Sequence, residues 1–132
     1  MKTMVVVQDN YPGLLAEVTS LLADKGIKLK DVSGHTVGHT AVINIEVEPY
    51  SGGFRLLSKA GYHVYASETL LIRLEKEPGA LAKVSRQLAD AGIDVRGLHI
   101  VNKGHGSAIV AIETADQQRA KQVLKGILVS HT

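Results

Sequence analysis

Pro12-Gly13-Leu14-Leu15-Ala16-Glu17-Val18 returns further along the chain as Pro78-Gly79-Ala80-Leu81-Ala82-Lys83-Val84. The match continues: Leu22-Ala23-Asp24 followed by Gly26-Ile27 reappears, at the same offset, as Leu88-Ala89-Asp90 followed by Gly92-Ile93. Self-similarity that carries a helix, a turn and the start of the next strand together means that one supersecondary unit is written twice in tandem.

Outward from that segment, both copies have the same order. An apolar run, Met4 to Val7 in the first and Leu70 to Leu74 in the second, leads through a polar turn to Pro-Gly. This predicts a strand, a loop and a helix start, because proline is tolerated in the first helical turn, where its missing N–H is no loss. Leu15, Val18 and Leu22, and likewise Leu81, Val84 and Leu88, recur at helical spacing and give each helix one stripe to bury. Gly26 and Gly92 end the helices. Ile27-Lys28-Leu29-Lys30 and Ile93-Asp94-Val95-Arg96 then alternate apolar with polar, as a half-exposed strand does.

Gly38-His39 and Gly104-His105-Gly106 divide those strands from Ala41 to Val47 and Ala108 to Ile112, making two hairpins. Second helices are predicted over Phe54 to Ala60, shortened by a glycine break at Ser51-Gly52-Gly53, and over Asp116 to Lys125. Gly61 and Gly126 stop them, and Tyr62-His63-Val64-Tyr65 and a brief Ile127-Leu128-Val129 close the units. The order β-α-β-β-α-β, twice, is the split βαβ arrangement of ferredoxin-like folds. The expected class is α+β: two tandem ferredoxin-like units, 1–66 and 67–132, with antiparallel sheets, helices on one face, packed side by side. A unit of that size is marginal alone. With Ser67 and Glu68 as the whole connection, the two are expected to dock as a rigid pair.

The composition fits and narrows the function. Of 132 residues, 45% are hydrophobic and 21% charged, while Phe and Tyr reach only 4% and Trp is absent, so the core is aliphatic. A net charge of +2 without a basic run does not suggest a nucleic-acid partner. The absence of cysteine excludes disulfides, thiolate metal sites and cysteine nucleophiles. No stretch approaches a signal sequence or a membrane span, so a cytoplasmic protein with no membrane partner is expected.

The chemically suggestive positions are the strand-helix loops, Asp9-Asn10-Tyr11-Pro12-Gly13-Leu14 and Glu75-Lys76-Glu77-Pro78-Gly79-Ala80. A helix start presents unpaired N–H groups at the positive end of the dipole, and glycine lets a ligand approach that backbone. A carboxylate would be held there, with Asp9 or Asn10 receiving an amine and His35 or Asn102 on the second strands selecting the side chain. Gly13→Val is expected to block the approach while leaving the fold largely intact. The alternative reading is that Pro-Gly merely starts a helix tightly.

The pattern acidic-x-x-Pro-Gly-x-Leu-Ala-x-Val, then Leu-Ala-x-x-Gly-Ile, on a βαββαβ unit resembles the ACT domain, a small module that binds amino acids and regulates metabolic enzymes. Both halves match, the second more closely, from Glu75 to Ile93 and on through Val95, Leu98 and Ile100. The resemblance implies a non-catalytic amino-acid sensor whose ligand lies at an interface between ACT units. The implied ligand-binding positions are Asp9, Asn10, Pro12, Gly13 and Leu14, with Glu75, Glu77, Pro78, Gly79 and Ala80. Lys76 in place of Asn10 and Glu77 in place of Tyr11 give the second loop different polar chemistry, so one site per chain is as open as two.

Other chemistries find less support. The six histidines show no HxH or HExxH spacing, and no metal site or cofactor is expected. Glu46 and Glu48 form the one notable carboxylate pair and are expected to face solvent; the serines lack a nucleophile-elbow pattern, so an enzyme is not expected. RNA-binding modules share this element order but need aromatics on their central strands, and Val42 to Ile45 and Ile109 to Ile112 offer none. The expected partners are a small-molecule amino acid, a second copy of the chain that covers exposed edge strands, and a metabolic enzyme or regulator. The alternative function is a structural dimerisation or protein-interaction module that has lost its ligand.

Overall fold

The computed structural model describes residues 2–104 and 106–129, and at 102–104 the backbone only. The elements run β1 (Met4–Asp9), α1 (Leu14–Asp24), β2 (Lys28–Val37), β3 (Thr40–Glu48), α2 (Tyr50–Lys59), β4 (His63–Ala66), β5 (Leu70–Glu75), α3 (Ala80–Asp90), β6 (Val95–Gly104), β7 (Ser107–Thr114) and α4 (Gln117–Val123), with a 3₁₀ turn at Lys125–Ile127. The chain divides into two compact units between Ser67 and Glu68. All strand pairs are antiparallel, in the orders β2-β3-β1-β4 and β5-β7-β6. The expected α+β class, two ferredoxin-like units, is what the chain adopts. The brief last strand of the second unit is reduced to a bridge between Leu128 and Ile72, beside a 2.8 Å bond from Val129 N–H to the Leu71 carbonyl.

Each unit has its own aliphatic core. In the first, Met4, Val6, Ile43, Ile45 and Val47 from the sheet meet Leu14, Val18 and Leu22 from α1 and Leu57 from α2. In the second, Leu70, Ile72, Val110 and Ile112 meet Val84, Leu88, Ala120 and Leu124. Fully burying one such Val, Leu or Ile side chain contributes roughly 1.5–3 kcal/mol, so these stripes dominate the packing energy.

Several sequence expectations change. The buried stripe of α1 runs Leu14-Val18-Leu22, not Leu15-Val18-Leu22; Leu15 is 50% exposed. The i, i+4, i+8 series follows the face that meets the sheet, and position 15 is rotated away from it. Pro12 and Pro78 precede the helices instead of sitting in their first turns. The N-caps are Gly13 and Gly79, both left-handed at φ +95° and +86°.

The glycines of Ser51-Gly52-Gly53 do not break α2, which runs through them. A Cβ on Gly53 would stand 2.6 Å from Val47 Cγ2, so glycine here permits a close helix-strand approach. Of the carboxylate pair, Glu48 is exposed but Glu46 is buried. It sits in register with Asp31, and by alternation it shares with Val42 the sheet face turned away from the helices, where Val42 is wholly buried too.

α4 starts on a side-chain cap: the Asp116 carboxylate accepts from Arg119 N–H at 3.1 Å. Beside it the Gln117 amide oxygen accepts from Thr114 N–H at 2.8 Å and Thr114 Oγ1 at 2.7 Å, while its nitrogen donates to the Glu68 carbonyl at 3.0 Å. One glutamine thereby satisfies the buried end of β7 and ties it to the start of the unit.

Candidate ligand-binding site

In the first unit a cavity of about 450 Å³ opens between the β1-α1 loop, the first turn of α1 and the edge strand β2. It is lined by Asn10, Tyr11, Gly13, Leu14 and Leu15 on one side, the stretch 32–36 on the other, and Ala41 and Ile43 at the base. Its volume falls within the range of about 300–1,000 Å³ usual for small-molecule clefts.

The loop is held from both ends. Asn10 N–H donates to the His39 carbonyl at 2.8 Å, joining the loop to the β2-β3 turn. Leu14 N–H donates to the Tyr11 carbonyl at 3.2 Å, and Glu17 N–H to the Gly13 carbonyl at 2.9 Å. No side chain caps α1. The early N–H groups of a helix have no preceding carbonyl within the helix, so the mouth of the cavity meets a donor-rich, positive helix end.

The Tyr11 hydroxyl is hydrogen-bonded to Glu17, and that bond, with burial and the nearby negative charge, pushes its pKa up to about 12. Burial raises the Tyr62 phenol as well, the Glu17 charge adds to that, and a hydrogen bond links Tyr62 to Tyr11. Tyr11, Glu17 and Tyr62 therefore stand close together, and Tyr11 lies on the cavity wall.

Among the described residues of the first unit, the exposed large apolar side chains are Tyr11, Leu15 and Val32. All three line this one cavity. An apolar surface that gathers at one concave place marks a binding site more often than scattered exposed side chains do.

The expected site residues fall into groups. Asn10, Gly13, Leu14 and His35 line the cavity. Asp9 ends β1 opposite Thr40 and Pro12 lies in the turn, both exposed and neither on the lining. His35 pairs with Val42, so alternation directs its side chain to the sheet face opposite Val32 and Gly34, and it meets the cavity along the strand edge.

In the second unit Glu75 ends β5 opposite Ser107. Lys76 N–H donates to the Gly106 carbonyl at 2.9 Å, repeating the bond of Asn10. Glu77, Pro78 and Gly79 are exposed and Ala80 is half-buried. Asn102 lies across from Ile109 as His35 lies across from Val42; its side chain, like His105 and His131, is outside the described residues.

Sequence reasoning missed Leu15 and the strand positions Val32, Gly34 and Thr36. The one signal for them was the glycine within β2. A glycine inside a strand marks a bulge or a close approach.

A family profile described as an ACT domain pair matches residues 1–130. The chain belongs to the ACT domain pair family. An ACT domain pair is a regulatory module.

Curated proteins yield no match. Among solved structures, a protein from Bacteroides thetaiotaomicron is similar at TM-score 0.50 and 24% identity, covering 97% of this chain and 90% of that one. That likeness concerns the fold. The regulatory subunit of aspartate kinase from Thermus thermophilus aligns at TM-score 0.44 and 15% identity, over 94% and 87% of the two chains. The small subunit of acetolactate synthase from Thermotoga maritima aligns at 0.42 and 12%, over 98% and 89%.

Among the described residues of this ACT pair, no three His, Asp or Glu side chains gather as a metal ion would require. No described helix is long and apolar enough to cross a membrane.

Proposed function

We propose that this ACT pair is a non-catalytic, cytoplasmic sensor of a free amino acid, bound at the β1-α1 loop of the first unit. The reading places the ligand carboxylate at the uncapped start of α1 beside Gly13, the amine toward Asn10, with Asp9 beyond the lining at the end of β1, and the side chain between Leu15 and Val32. The observation that carries it is the convergence of Tyr11, Leu15 and Val32 on a single cavity next to a helix N-terminus. The second loop, with Glu75, Glu77, Pro78, Gly79 and Ala80, has the same backbone frame but carries Lys76 and Glu77 where the first has Asn10 and Tyr11.

The chain is proposed to work as a homodimer whose assembly or conformation a metabolic enzyme or regulator reads. β2 and β6 each lie at the edge of a sheet. Leu98 and Ile100 are exposed on β6, and an apolar edge is a template for strand pairing. A second copy laid along β2 would close the open side of the cavity. Ligand binding would then bias assembly by no more than its difference in affinity for the two states.

The test is a thermal-shift screen of the purified chain against the twenty amino acids. A ligand at about 100 times its Kd adds roughly 2.7 kcal/mol of stability. A flat response to all of them at millimolar concentration would count against a sensor and leave the dimerisation module, which Leu98 and Ile100 favour. Sedimentation equilibrium gives the mass and decides the dimer.

A further inference from the structure

The two units can be compared position by position through their strand registers. Val32 pairs with Ile45 and Gly34 with Ile43; in the second unit Leu98 pairs with Ile112 and Ile100 with Val110. Leu98 therefore stands where Val32 does, and Ile100 where Gly34 does. Directly paired residues point to the same side of a sheet, so both positions look toward the helix face, the side of the cavity.

A strand glycine marks either a bulge or a close approach. The register is unbroken from Asp31 to Val37, so Gly34 is not at a bulge. The second unit does bulge here, between Ile100 and Asn102, and it carries no glycine at that place. Gly34 instead leaves the floor of the cavity bare: an added Cβ would lie 3.6 Å from Ile43 Cγ1, which the cavity reaches, and 3.2 Å from the Val42 carbonyl oxygen. Ile100, 43% exposed, puts a branched side chain on the matching face of the second unit. The loop above differs in the same sense, with Glu77 at the place of Tyr11.

The chemistry of the lining narrows the occupant. It contains no Lys, Arg, Asp or Glu; Asn10, Tyr11, Ser33, His35 and Thr36 supply its polar groups, and Leu14, Leu15, Val32, Ala41 and Ile43 its apolar walls. A charged ligand side chain placed over Gly34 would lose water without gaining a counter-charge, which is costly. An aliphatic side chain loses nothing there and covers Leu15 and Val32.

Resting on the sensor reading above, we infer that the first unit takes an amino acid with an uncharged aliphatic side chain, that Gly34 is the residue that admits it, and that Ile100 closes the second unit to the same ligand. One ligand binds per chain.

The experiment is calorimetric titration of the full chain with L-valine, L-leucine, L-aspartate and L-lysine. The expected result is binding of valine or leucine, at one equivalent per chain, with aspartate and lysine silent. Gly34→Ala, checked for fold by circular dichroism, weakens binding at least tenfold. Should Gly34→Ala disturb the strand, Leu15→Asp replaces an exposed side chain and removes aliphatic binding from a folded protein.

Binding of aspartate or lysine in preference to valine and leucine would overturn the ligand class while leaving the sensor reading intact. Two equivalents per chain, or full affinity in folded Gly34→Ala, would overturn the roles of Ile100 or Gly34. Silence toward every amino acid in the thermal screen would remove the sensor reading and this inference with it.

Discussion

Replacing Gly13 by alanine isolates the backbone of the strand-helix loop. Gly13 has φ +95°, and a Cβ built there meets nothing within 4 Å, so the substitution introduces no clash. Its whole cost is conformational. A non-glycine residue in the left-handed region loses roughly 1–2 kcal/mol, and the stiffer unfolded chain returns about 0.4–1 kcal/mol. The net expectation is a loss of about 1 kcal/mol, near a fivefold shift in the folding equilibrium. Gly79, at φ +86° with equally open surroundings, should lose the same amount although Glu77 replaces Tyr11 beside it. Asparagine tolerates the left-handed region and caps helices well, so Gly13→Asn should recover most of the loss. Urea denaturation followed by circular dichroism reads all three variants. A neutral or stabilising Gly13→Ala would refute the argument, because it would mean that the loop does not hold a positive φ. Gly13→Val, which puts a β-branched residue at this φ, would add strain to any blocked approach and cannot serve as a clean binding probe.

Three further outcomes follow from particular contacts. Gly53→Ala should destabilise by about 1–3 kcal/mol through overpacking against Val47, despite the better helix propensity of alanine, and adding Val47→Ala should relieve part of that penalty in a double-mutant denaturation cycle. Asp116→Ala should cost about 1 kcal/mol by removing the cap of α4, read by the same denaturation; an unchanged midpoint would mean that the cap bond at Arg119 N–H contributes nothing. The Tyr11 phenol should titrate near pH 12, with Glu17→Gln lowering its midpoint and Tyr11→Phe removing it from the ultraviolet titration of tyrosinate. Because its folded pKa lies above the ordinary value of 10.0, its contribution to stability is complete below pH 10 and disappears as pH rises through 12.

The site was partly legible. Asn10, Gly13 and Leu14 sit in a motif whose spacing repeats, and a repeated strand-loop-helix spacing has one local structure. Leu15 reads as core in the sequence because a pair of leucines at the helix start offers two registers. Only contact with the sheet decides that Leu14 is buried and Leu15 exposed. Gly34 carries no clear signal in the sequence, because a lone strand glycine reads equally as bulge or approach until the pairing with Ile43 is known. Glu46 followed polar alternation, which marks it as outward-facing but cannot say that the outward face is itself covered.

The sequence by itself determined the duplicated βαββαβ order, the hairpins and the aliphatic core, because these follow from local periodicity and turn chemistry repeated in two copies. Tertiary structure decided which exposed side chains converge and where the first unit opens a cavity. Tyr11, Leu15, Val32 and Gly34 come from a loop, a helix and an edge strand. Their meeting depends on helix rotation and strand register, quantities that long-range packing sets and that no single segment encodes.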